Sequence, residues 1–266
     1  MKTMTIITNL CNLSYRSLII MVAVTILASC NSSEKKNNSD EENLSIHPIS
    51  HASFVMDYED ITIYIDPVGG AASYSHLNPP NIILITDVHG DHLNVETLEG
   101  LMGYNPKIVA PTAVLERLPN SIKAKASVVV NNQSINLTLK DTEIGIEGIP
   151  MYNLREEALK FHEKGRGNGY VLTLGEDRVY VSGDTEDIPE MRALTDIDLA
   201  FVCMNLPWTM TVESAADAVL EFKPKEVIPY HYRGTNGLSD VNKFKEIVSS
   251  GNPDITVRLL NWYPNR

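Results

Sequence analysis

The chain has 266 residues, 34 acidic against 22 basic side chains and a formal net charge of −12. A balance that acidic argues against nucleic acid as a partner, because phosphate backbones demand basic patches. Its three cysteines, Cys11, Cys30 and Cys203, are too few and too scattered for a disulfide framework.

Residues 1–29 read as an export signal. Lys2 and Arg16 are the only charges before residue 30, and Leu18 to Ala28 is an apolar run. That run is shorter than the ~20 residues a membrane span needs, and its length suits a signal-peptide core. It ends in Leu27-Ala28-Ser29-Cys30, which resembles the bacterial lipobox. The resemblance implies lipidation at Cys30 and a lipid-anchored protein of the bacterial cell envelope. The membrane would then be met only through the anchor. Loss of residues 1–29 removes two positive charges and takes the net charge from −12 to −14. Residues 30–45 are polar and read as a disordered tether. Residues 46–266 remain for the folded part, a length that suits one domain. With Cys11 removed and Cys30 lipidated, Cys203 stands alone in an apolar run and reads as a core thiol.

Ser53–Tyr58 and Ile61–Asp66 flank Glu59-Asp60 as a hairpin. Asn81–Thr86 is a buried strand. Val95, Leu98, Leu101 and Met102 have helical spacing, with Asn94 as N-cap. Lys107–Ala110 is a short strand, and Pro111 opens a helix holding Val114 and Leu115. Ala126–Val130, Ile135–Leu139 and Ile144–Ile149 follow as strands, then a hairpin of Tyr170–Leu174 and Val179–Ser182. Asp198–Met204, Glu226–Tyr230 and Ile255–Leu260 complete the strands. They alternate with a helix marked by Ala215, Val219 and Phe222, stopped by Pro224, and one marked by Val241, Phe244, Ile247 and Val248, ended by Gly251. Two strand-rich halves with interleaved helices predict two sheets packed face to face with helices outside.

The chemistry concentrates after the strand at Asn81–Thr86, in Asp87-Val88-His89-Gly90-Asp91-His92. Two carboxylates and two imidazoles at the end of a buried strand are costly unless something pairs with them, and a divalent metal pairs with all four. Gly90 is expected to turn the loop so that Asp87, His89 and Asp91 curl around one ion. His92, adjacent to Asp91, would face a second. Three more strand-end features join the cluster: Gly183-Asp184-Thr185, Tyr230-His231, and His162 in a polar loop before a strand. Gly165, Gly167 and Gly169 precede a strand, so they form a flexible loop and no phosphate cradle.

In this order and with these residue types, the chain resembles the metallo-β-lactamase fold superfamily. The resemblance covers nearly all of residues 46–266. His51-Ala52-Ser53-Phe54 and Tyr64-Ile65-Asp66-Pro67 bring it closest to the branch of sugar-acid-phosphate lactonases and phospholipase D-like phosphodiesterases. The resemblance implies an α/β fold, the four-layer αββα sandwich, and a dinuclear hydrolase. One ion would use Asp87, His89 and His162, the other Asp91, His92 and His231, with Asp184 as bridge. Metal-bound water, its pKa lowered to ~7, would attack a lactone, ester or phosphodiester of a small-molecule substrate, and Asp91 would orient it or pass a proton. Two departures stand out. Asp87 replaces the pattern's first histidine, and oxygen in place of nitrogen widens the metals expected from zinc to manganese or iron. The branch often has its third-motif histidine directly after a strand, where this chain has Tyr152-Asn153; of His162 and Asn153, His162 is preferred as third ligand, because a neutral amide binds metal poorly and no other histidine lies between His92 and His231. His51 is a substrate contact or a packing residue. The alternatives in function are a phospholipase D-like phosphodiesterase and a non-catalytic binding lipoprotein on the same fold.

Overall fold

The structure is a computed structural model that describes residues 44–263. The export signal, Cys11 and Cys30 lie outside the described residues. Among the described residues no helix is long and apolar enough to cross a membrane.

The first sheet has six strands in chain order: β1 (Leu44–Ser50), β2 (Ser53–Tyr58), β3 (Ile61–Ile65), β4 (Ile82–Leu84), β5 (Lys107–Ala110) and β6 (Ala126–Val128). β1, β2 and β3 pair antiparallel, and β3 to β6 run parallel. The parallel crossovers carry α1 (Val95–Leu101), α2 (Thr112–Arg117) and α3 (Asn120–Lys123). Asn94 caps α1 as expected, its side chain accepting from the Thr97 amide at 2.8 Å.

The second sheet is formed by β7 (Ser134–Leu139), β8 (Thr142–Met151), β9 (Gly167–Leu174), β10 (Asp177–Val181), β11 (Leu199–Cys203), β12 (Glu226–Tyr230) and, beyond a small hairpin of β13 (Arg233–Gly234) and β14 (Gly237–Leu238), β15 (Thr256–Val257). Their spatial order is β15-β12-β11-β10-β9-β8-β7. Helices α4 (Pro189–Arg192), α5 (Val212–Phe222) and α6 (Val241–Gly251) accompany its parallel half.

Strand alternation builds the layers. Phe54, Met56, Ile63, Ile65, Ile82, Leu84 and Val109 face the second sheet, where the Phe54 and Phe201 rings stack at 4.3 Å. Val55, Tyr64, Ile83, Ile85 and Ile108 face the other way, against Leu98 and Leu101 of α1 and Val114 of α2. On the far side of the second sheet, Ala215, Val219 and Phe222 of α5 and Phe244 and Val248 of α6 close the core. The result is the four-layer αββα sandwich of the α/β class. Cys203 is fully buried, its thiol pushed up to about 12 by burial, as a core thiol should be.

Three local expectations need correction. The sheet starts at Leu44, so the last two residues assigned to the tether belong to β1. Pro48 obscured that strand, and it is tolerated because β1 is an edge. Gly251 lies within the last turn of α6, which Asn252 leaves in an extended conformation. The C-terminal strand shrinks to Thr256–Val257. Helices α3 and α4, four residues each, are too short to show a helical period.

Candidate metal centre

The loops after β4, β8, β10 and β12 meet at one edge of the two sheets, and each delivers a residue of the predicted set. Asp87, His89, Asp91 and His92 follow β4, His162 precedes β9, Asp184 follows β10 and His231 follows β12. Candidate ligand atoms of Asp87, His89 and His162 lie within 4.8 Å of one another, and so do those of Asp91, His92 and His231. Asp91 therefore groups with His92, and the alternation of Asp87, His89 and Asp91 does not put those three around one point. The chain does turn at Gly90, where the His92 and Leu93 amides bond the His89 carbonyl at 3.0 and 2.8 Å, but with no left-handed backbone that would require a glycine.

Asp184 sits between the two triads. Its Oδ2 is 3.2 Å from His162 Nε2 and 3.3 Å from His92 Nε2, and its Oδ1 is 3.3 Å from His231 Nε2. Gly183 before it has φ +62°, and a Cβ there would come within 2.5 Å of Met151 Sδ. A glycine is thus needed to aim Asp184 into the site.

The ring orientations follow from what stands behind each histidine. His92 Nδ1 is 2.8 Å from Asp66 Oδ2, and that carboxylate is fixed by the Thr86 amide at 2.7 Å and the Thr86 hydroxyl at 2.6 Å. His162 Nδ1 faces two acceptors, the Trp208 carbonyl at 3.2 Å and Asn153 Oδ1 at 3.3 Å. Both rings must carry a proton on Nδ1, so Nε2 is the nitrogen turned toward Asp184 and the one that would meet a cation in place of a proton. These Nε2 atoms are buried and have no hydrogen-bond partner, like Asp184 Oδ1. Buried ring nitrogens and a carboxylate oxygen converging without hydrogen-bond partners fit a cation. Asn153 stands behind His162 and spends its amide on the Ala158 and Trp208 carbonyls.

The Asp87 position is built differently. Arg166 donates Nε to Oδ1 at 3.0 Å and Nη2 to Oδ2 at 2.8 Å, and His89 Nδ1 lies 2.8 Å from the same Oδ2. A buried carboxylate replacing a neutral imidazole thus comes with a guanidinium that cancels its charge.

Electrostatics follow the geometry. Burial opposes the ionisation of Asp87, but hydrogen bonding from His89, the charge of His92 and the Arg166 bond hold it at about 2. Burial also opposes that of Asp184, yet His231 and His92 pull it well below the usual carboxylate range. Conversely, Asp184 and Asp66 overcome burial to hold a proton on His92 well above the imidazole range, and Asp184 does the same for His231, to about 8. Protons therefore compete with cations for this site. His51 goes the other way, pushed down to about 4 by burial, His231 and Arg233.

A cavity of about 240 Å³ opens onto His89, Asp91, His162 and Asp184, walled by Phe161, Trp208 and Asn205. Its cover is tied down by Glu186, a buried carboxylate that accepts from the Leu154 and Arg155 amides and from Arg155 Nε at 2.7 Å. Arg155 in turn donates to the Pro207 and Thr209 carbonyls. Sequence reasoning missed Glu186, Asn205 and the roles of Asp66 and Arg166. Only Asp66 carried a signal, the Asp-Pro after a strand. Lys164 and Tyr152, close by in sequence, are engaged with each other and with Glu190.

Fold and site together define a β-lactamase-type metal site between two sheets, and the family profile described as "Beta-lactamase superfamily domain" matches residues 45–231. The chain belongs to that family. Among its relatives, the UPF0173 metal-dependent hydrolase of Pyrococcus horikoshii is 29% identical over 214 residues, covering 75% of this chain and 90% of its own. A solved structure from Parabacteroides distasonis ATCC 8503 is 36% identical, with a TM-score of 0.70 over 81% of this chain and 92% of that one. The metallo hydrolase Igni18 of Ignicoccus hospitalis shares the fold at 21% identity, with a TM-score of 0.69 over 82% of this chain and 95% of its own.

Proposed function

We propose that this protein is a hydrolase that binds two divalent metal ions, one at Asp87, His89 and His162 and one at Asp91, His92 and His231, with Asp184 shared between them. The chain is a metal-dependent hydrolase of the β-lactamase superfamily, with His/Asp clusters suited to metal ions. What supports two ions is the convergence of both triads on Asp184. Bound ions would supply a water acidified to a pKa of about 7 and would polarise the substrate's carbonyl or phosphoryl oxygen. Zinc suits the histidines, and the oxygen of Asp87 leaves room for manganese or iron.

The chain's own groups complete the chemistry. Asp91 borders the cavity half-exposed and lies 3.3 Å from His231 Nε2, so it can accept a proton from water and return it to a leaving group. Asn205 has its oxygen fixed by the Thr209 hydroxyl at 2.6 Å, which turns its amide nitrogen toward His231 and the cavity. That nitrogen is placed to hold a substrate oxygen. Phe161 and Trp208 keep bulk water from the reacting bond.

The substrate class is a lactone, ester or phosphodiester. Metal analysis of the purified protein followed by assay against those three classes tests the reading. Two ions per chain and turnover of one class are expected; fully metallated protein inert on all three would make it a binding protein. We also propose that Cys30 is lipidated and holds the domain at the cell envelope. Cys30→Ala should move the protein from the membrane fraction to the soluble one, and a variant still processed and membrane-bound would refute the anchor.

A further inference from the structure

Beside the Asp91, His92 and His231 triad stand two nitrogen-bearing side chains that the chemistry above does not use. His51 lies in the tight turn between β1 and β2 with a left-handed backbone, φ +50°. Its ring meets the His231 ring edge-on at 5.5 Å and the Tyr263 ring at 5.4 Å, and its Nδ1 is buried with no hydrogen-bond partner. Arg233 comes two residues after His231, whose own φ of +46° turns the chain as it leaves β12. The guanidinium lies 4.2 Å over Tyr263, and its Nε is buried without a partner. Arg166, Arg155 and Arg192 all meet carboxylates; no described carboxylate meets Arg233.

Arg233 is also held in place. The Thr235 amide bonds the Leu206 carbonyl at 3.1 Å and the Ser239 amide bonds the Tyr232 carbonyl at 2.8 Å. A Cβ on Gly234 would fall 2.0 Å from the Leu206 oxygen, so only glycine permits this close approach of the hairpin to Leu206. A buried donor left unpaired is costly unless a ligand meets it. A fixed guanidinium stacked on an aromatic ring, with a free fork beside a metal-type site, matches the geometry that binds carboxylate or phosphate oxygens.

We propose that His51 and Arg233 form a subsite for an anionic oxygen group of the substrate, a carboxylate or a phosphate, next to the Asp91, His92 and His231 triad. The proposal rests on that triad being the reaction centre, and it restricts the substrates to those that carry a negative charge near the hydrolysed bond. Arg233 supplies the charge. His51 supplies a hydrogen-bonding nitrogen, its buried and unpartnered Nδ1.

The test is calorimetric titration of inorganic phosphate and of acetate into the full chain, metal-loaded and after chelation, for the native protein, Arg233→Met, Arg233→Lys and His51→Gln. Metal content and melting temperature are read for each. Arg233→Met should weaken the preferred anion at least tenfold with metal content unchanged, Arg233→Lys should recover part of it, and His51→Gln should weaken it several-fold. Phosphate preferred over acetate assigns a phosphoryl group, and the reverse a carboxylate. Binding that survives chelation and disappears in Arg233→Met would support the subsite even if the metal reading failed. Equal affinity for both anions in native protein and Arg233→Met would overturn it, and so would metal loss in Arg233→Met, which would make Arg233 a support of the triad.

Discussion

Both triads take two members from the loop after β4, but Asp91 and His92 are joined by His231 directly at the end of β12, whereas Asp87 and His89 take their third member, His162, from a long loop between β8 and β9. Behind His92 stands Asp66, itself clamped twice by Thr86, so the ring is fixed before any ion arrives. Behind Asp87 stands Arg166, which occupies both carboxylate oxygens and must share them with an ion. His89 is half-exposed, while His92 is fully buried. One triad is preorganised and the other is charge-compensated, and the first should hold its ion more tightly. Carboxylate and imidazole are thus not interchangeable at a metal site: a buried carboxylate brings a charge that a second residue has to balance.

The largest effect should come from the residue both triads share. Asp184→Ala is expected to lose both ions and to lower the turnover number by about 10³-fold or more, read by metal analysis and hydrolysis rate. Retention of either ion at native affinity would show that the triads do not depend on Asp184.

Arg166→Met separates the triads. In metal-free protein it strands a buried Asp87 charge, which should cost about 3–5 kcal/mol of stability. Added zinc then replaces the missing guanidinium, so the rise in melting temperature on metal addition should be larger in the variant than in the native chain. An equal or smaller rise would remove Asp87 from the ligands.

Asp66→Asn acts on the other triad. Loss of a carboxylate behind a metal-bound histidine typically costs 10–100-fold in affinity. One of two ions should weaken by that factor, measured by competition with a chelating dye, while the other is unchanged.

The smallest effect concerns pH in metal-free protein. His231 is raised from 6.5 to about 8, so its stabilisation is fully present below pH 6.5 and lost as pH rises through 8, a contribution on the order of 2 kcal/mol. Asp87 is lowered from 3.8 to about 2, so its share is present above pH 3.8 and lost as pH falls through 2. Melting temperature in chelator should therefore fall between pH 7 and 9. Saturating metal, which binds His231 unprotonated, should flatten that limb. A flat profile in chelator would mean that His231 does not share its proton with Asp184.

The sequence by itself determined most of the strands, though neither β1 nor the β13–β14 hairpin, together with the two long helices and the side chains that the structure gathers into the two triads. Burial patterns of period two and 3.6 are local, and carboxylates and imidazoles at strand ends stand out because burying them is costly. The gathering of His162 rather than Asn153 into the site was legible only as a preference, since nothing in the local pattern says which side chain a loop turns inward. Tertiary structure decided that, by giving His162 Nδ1 two carbonyl-type acceptors and Asn153 other partners. It also decided what lies behind the ligands. Asp66, Arg166 and Glu186 sit 26, 79 and 31–32 residues from the groups they hold. Hydrogen bonds across such distances in sequence leave no periodic trace, because they depend on how two sheets and their loops are brought together.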